Sequence, residues 1–151
     1  MPFVLDDFLP YRLSVAASRV SRRFARRYGA ESGISIPEWR VLAHLAEGGP
    51  VSVRDIHARV DMDKSKVSRA AARLEEAGLV RKVADTQDRR LVALSLTPAG
   101  ERLMARLGAI AEAFQEELLA LLGPQAPGLS QGLARLIAAG PNGDPHDDDA
   151  P

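Results

Sequence analysis

Ser65, Lys66, Ser68, Arg69 and Arg73 recur along one polar side of a predicted helix spanning about residues 64–77. These residue types suit a helix lying in the major groove of DNA, where polar side chains meet base edges and phosphates. Arg69 can pair with a guanine edge, whereas Lys64 and Lys66, in the first turn, suit phosphate oxygens. Asp88, Arg89 and Arg90 follow at the tip of a predicted hairpin, where an arginine can enter the adjacent minor groove while an acidic neighbour orients it. Ser52 and Arg54, opening the preceding helix, complete the candidate DNA-contact set. Taken singly, each group also reads as a solvated helix face or a charged turn. Their succession in one order favours the DNA reading.

Charge supports this locally and not globally. The 151 residues carry 20 Lys and Arg against 20 Asp and Glu, yet the stretch from Lys64 to Arg90 holds eight cations and four anions. Four of the aspartates fall in the eleven residues after Gly140 with three prolines, a composition expected of a solvated, disordered tail over 140–151. No cysteine is present, which excludes disulfides and thiolate chemistry within this chain. His44, His57 and His146 lack metal-ligand spacing, so no metal is expected and no cofactor is implied. The sequence holds no nucleophile elbow, phosphate loop or metal motif, which argues against an enzyme. With no charged-then-apolar leader and no run of about eighteen apolar residues, the expectation is a cytoplasmic protein without a membrane partner.

The elements that must position these residues follow from periodicity and caps. Leu9, Leu13, Ala17, Val20, Phe24 and Tyr28 recur at helical spacing, predicting a helix over about 5–29 whose other faces carry six arginines. Ser35, Pro37 and Glu38 open a second helix in the pattern of a capping box, and Gly48–Gly49 end it. Ser52 and Asp55 repeat the pattern before a short helix with Val53, Ile56 and Val60. Asp63 then caps a helix whose inward residues are Val67, Ala70, Ala71 and Leu74, with Gly78 as its stop. Two short helices around a tight turn form a helix-turn-helix. Leu79–Val83 and Leu91–Leu96 read as a hairpin, with Val92, Leu94 and Leu96 on one buried face. Thr97 and Pro98 start a long helix carrying Leu103, Leu107, Ile110, Phe114, Leu118 and Leu121. After a break at 124–128, a last helix carries Leu129, Leu133, Leu136 and Ile137.

The chain resembles the MarR family of bacterial regulators. The likeness is carried by Pro37-Glu38-Trp39-Arg40-Val41-Leu42, Lys66 to Leu74, Glu75-Glu76-Ala77-Gly78-Leu79-Val80, Asp88-Arg89-Arg90 and Leu94-Ser95-Leu96-Thr97-Pro98-Ala99-Gly100, and spans about residues 5–139. The resemblance implies a mainly α fold with a small β-hairpin wing: a winged helix-turn-helix over 31–97, flanked by dimerisation helices over 5–30 and 98–139. It also implies that residues 65–73 form the recognition helix, that Arg90 is the wing arginine and that Asp88 is its acidic partner. A homodimer on a pseudo-palindromic operator follows, most simply as a repressor.

Physical argument supports the dimer separately, because the stripes Leu9 to Tyr28 and Leu103 to Leu121 lie outside the small winged helix and would be apolar patches on a monomer. An intrachain helix pair is the alternative. The family resemblance further implies release from DNA by a small, often aromatic or anionic effector. Phe8, Arg12, Val15 and Arg19 share one face of the first helix, with Trp39, Arg40 and His44 able to approach from the second. An apolar slot with an arginine suits an aromatic carboxylate or an acyl thioester of coenzyme A. Trp39 as core and the arginines as surface ion pairs is the competing reading. A winged helix used only for protein interaction is the competing function.

Overall fold

The computed structural model describes residues 2–60, 62–84 and 92–140. The order is α1 (Leu9–Ser32), α2 (Ile36–Gly48), β1 (Val51–Ser52), α3 (Val53–Val60), α4 (Lys64–Glu76), β2 (Val80–Ala84), β3 (Val92–Leu96), α5 (Pro98–Leu122) and α6 (Ala126–Ala138), with 3-10 turns at Leu5–Asp7 and Gly123–Gln125. This is the mainly helical winged-helix architecture expected from the sequence. The chain divides into two compact units, Met1–Ala111 and Glu112–Pro151.

In the first unit, one core gathers residues from α1 to the first half of α5. Val41, Leu42, Ile56, Val67, Ala70, Leu74 and Leu107 are fully buried there, and Tyr28, Val80 and Leu94 nearly so. The four buried residues of α4 sit at i, i+3, i+4 and i+7, which is why its opposite face is left to solvent. The caps fall on the residues the sequence signals, but the Glu38 carboxylate accepts from Ser35 Oγ and Arg73 Nε and does not close the reciprocal half of the expected capping box. Ser35 Oγ accepts from Glu38 N at 3.4 Å, Ser52 Oγ from Asp55 N at 3.1 Å, Asp63 Oδ1 from Lys66 N at 2.8 Å and Thr97 Oγ1 from Gly100 N at 3.1 Å.

Three local expectations are corrected. The first helix proper starts at Leu9 and runs through Gly29 to Ser32; Gly33, at φ 70°, is its left-handed stop. The hairpin is joined by β1, giving an antiparallel sheet of order β1-β3-β2 with Val51 opposite Leu94 and Ser52 opposite Ala93. A two-residue strand leaves no alternating pattern to read. Val92 is 50% exposed while Ala93 and Leu94 are buried, so β3 does not bury its 92, 94, 96 face evenly. The cause is reach: β1 covers only Ala93 and Leu94, and Val92 pairs with exposed Ala84 at the far end of the hairpin.

The second unit contains the end of α5, the turn at Gly123–Gln125 and α6. Phe114 is buried and Leu118 half-buried, but Leu119, Leu121, Leu129, Leu133, Leu136 and Ile137 are all exposed. Among the described residues, no helix is long and apolar enough to cross a membrane.

Candidate nucleic-acid interface

Helix α4 presents Lys64, Ser65, Lys66, Ser68, Arg69 and Arg73 on its exposed side. Asp63 stands at its N-cap, so the helix start is closed by a side chain and the two lysines of the first turn extend from a fixed backbone. On α3, His57 Nδ1 donates to the carbonyl of Met62 at 2.5 Å, next to the Asp63 cap of α4. Sequence reasoning assigned His57 no role, because its partner is a backbone carbonyl five residues on, which side-chain spacing does not reveal.

The candidate contact residues are not equivalent. Lys64, Ser65, Lys66, Ser68, Arg69 and the Arg54 of α3 are exposed. Ser52 is only 2% exposed and its hydroxyl caps α3, so it is turned into the fold and offers no outward contact. Arg73 is engaged within the protein: its Nε donates to Glu38 Oε1 at 3.1 Å, tying α4 to the start of α2. Lys82 on β2 approaches Glu75 at 3.9 Å, a loose exposed pair of little energetic weight. Asp88, Arg89 and Arg90 lie outside the described residues.

The candidate ligand residues are brought together only in part. Arg12, Val15 and Arg19 line a concavity of about 330 Å³ with Asp6, Tyr11 and Ala16. Phe8 packs edge-on against Phe3, with ring centroids 5.4 Å apart. Trp39 is directed elsewhere, into a cluster where it meets Phe24 edge-on at 5.0 Å and stacks on Tyr28 at 5.5 Å. Arg40 and His44 are half-buried on α2. The arginines of α1 also meet beside Ala25, where Arg19, Arg22, Arg23 and Arg26 line a concavity of about 610 Å³.

Tyr28 is the residue the sequence undersold. It fits the apolar stripe of α1 and is 1% exposed, yet its hydroxyl has no hydrogen-bond partner among the described residues. Burial raises its pKa to about 12, with Arg40 opposing and Glu38 reinforcing the shift. A buried phenol without a partner carries a desolvation penalty of about 1–3 kcal/mol. No metal-binding group of three or more His, Asp or Glu side chains occurs among the described residues.

The chain is similar in sequence and fold to known transcriptional regulators. A model of the MarR family matches residues 32–91. The HTH-type transcriptional regulator FarR of Neisseria gonorrhoeae is 32% identical over 78 residues, covering 52% of this chain and 53% of that protein. The chain spans about half the length of the curated relatives it matches first. Among solved structures, a MarR family transcriptional regulator from Silicibacter pomeroyi DSS-3 superposes with a TM-score of 0.76 at 29% identity, covering 90% of this chain and 96% of that one. NadR, solved in complex with 4-hydroxyphenylacetate, superposes with a TM-score of 0.75 at 26% identity, covering 91% and 98%.

Proposed function

We propose that this chain, which is similar to MarR family regulators in sequence and fold, is a DNA-binding transcription regulator that works in the cytoplasm as a homodimer on a pseudo-palindromic operator. The observation that carries this reading is α4 itself. Val67, Ala70, Ala71 and Leu74 bury its apolar face, and its other face combines two first-turn lysines, two serines and Arg69, all exposed. Fold alone does not fix function, but a protein-interaction module has no need of a cationic, capped helix in the groove-reading position. Arg90, with Asp88, is the proposed wing contact in the minor groove.

For control, we propose a small aromatic acid or acyl-CoA effector and repression in its absence. Support comes from NadR, whose structure holds 4-hydroxyphenylacetate, and from the α1–α2 aromatic cluster with its buried, unpartnered Tyr28 hydroxyl. The arginines of α1 would attract the anionic part of such a ligand.

Lys66→Ala and Arg69→Ala test the DNA reading on a duplex selected by the protein from a random pool. Lys66→Ala is expected to weaken binding to all sequences alike and to flatten the salt dependence by about one unit of log–log slope. Arg69→Ala is expected to cost about 1–3 kcal/mol and to relax base preference at one position of each half-site. Unaltered DNA binding in both variants would favour the protein-interaction reading instead.

A further inference from the structure

Glu38 occupies the third position after the Ser35 cap, where a capping box would turn its carboxylate back to the cap's backbone N–H. Its carboxylate does something else here. Oε1 accepts from Ser35 Oγ at 2.8 Å and from Arg73 Nε at 3.1 Å, across 35 residues of sequence. The Glu38 side chain is only 14% exposed, whereas that of Arg73 is 52% exposed. One end of the pair is therefore anchored in the fold and the other stands on the cationic face of α4.

Stability is a weak reason for such a pair, since a half-exposed ion pair adds little to folding. Geometry gives a stronger one. A guanidinium bonded through Nε can still offer its Nη pair to a phosphate oxygen, because its five donors are spread over a rigid plane. A free arginine would have to order a long side chain on binding, whereas one already held by Nε has lost much of that freedom beforehand.

We propose that Glu38 is a positioning residue for DNA binding, which fixes Arg73 through Nε so that its remaining donors meet a backbone phosphate. The proposal rests on the DNA-binding reading of α4. It assigns Arg73 to phosphate holding rather than base reading, and makes α2 a contributor to the interface without touching DNA.

The pair can be tested by salt-dependent titration of full-length wild type, Glu38→Ala, Arg73→Ala and the double variant on the selected duplex. Charge alone makes Glu38→Ala bind DNA more tightly, because an anion is removed beside a polyanion. Positioning gives the opposite sign: affinity falls about tenfold, the slope falls by about 1 as in Arg73→Ala, and the double variant loses no more than Arg73→Ala. Glu38→Gln keeps the acceptor and is expected to restore the wild-type slope. Arg73→Lys supplies a check that leaves the α2 cap intact: a single ammonium has no second edge to present, so its slope is also expected to fall by about 1. Tighter binding by Glu38→Ala, additive losses, a glutamine that behaves like alanine, or a wild-type slope in Arg73→Lys would each overturn the proposal. Failure of the wild-type protein to bind any duplex would overturn the DNA-binding reading as well, so the two failures are distinguishable.

Discussion

Tyr28 joins two demands that pull in opposite directions. Its ring closes the aromatic cluster between α1 and α2, while its hydroxyl is buried without a partner. Tyr28→Phe is therefore expected to leave the melting temperature at neutral pH unchanged or higher, because it removes the unpaired hydroxyl and keeps the packing. The pH dependence follows from the raised pKa of about 12. Between pH 10 and 12 the unfolded chain releases the phenolic proton while the folded chain retains it, so wild-type stability falls across that interval. In Tyr28→Phe that component of the fall should vanish in denaturant titrations. A stability loss at neutral pH would show that the hydroxyl has a structural partner. At this scale the caps were legible, because Ser35, Asp63 and Thr97 bond within three residues of themselves. The second partner of Glu38 and the isolation of the Tyr28 hydroxyl were not, since both depend on distant chain segments meeting.

Between elements, a tight approach lies where α5 begins. Thr97 N donates to Leu79 O at 3.1 Å and Thr97 Oγ1 donates to Gly78 O at 2.6 Å, fastening the start of α5 to the end of α4. Gly100 passes so near that a Cβ there would collide with the Leu79 carbonyl oxygen and sit 3.3 Å from Leu96 Cδ2. Backbone cannot yield as a flexible side chain does, so Gly100→Ala is expected to destabilise the protein by about 1–3 kcal/mol in urea unfolding. Gly108, in the same helix with nothing within 4 Å of its Cβ position, provides the contrast. Gly108→Ala is expected to be neutral or stabilising by up to about 1 kcal/mol from helix propensity. Equal effects would refute the close-approach account. Element types and most helix ends were readable from spacing and caps, but β1 was not, and neither was the exposure of Val92, because both are consequences of which strand lies beside β3.

For the molecule as a whole, the unresolved demand is apolar surface. Leu129, Leu133, Leu136 and Ile137 on α6 and Phe3, Val4, Leu5, Phe8 and Leu9 near the start are all large, apolar and exposed. Exposed apolar side chains in such numbers on each unit suit burial against a partner, and under the homodimer proposed above a second copy of the chain would supply it. The helical periodicity of these stripes was legible in the sequence; which of their residues would stay uncovered was not, because burial depends on packing that spacing does not specify. Two-fold pairing would set two copies of α4 to read two half-sites. The most direct test of this account is selection of bound sequences from a random DNA pool with purified protein, with the chain-to-duplex stoichiometry measured on the winning site. The expected result is a two-fold symmetric motif, half-site centres about 10 base pairs apart, bound by two chains. An asymmetric motif held by one chain, or no enriched motif at all, would contradict it.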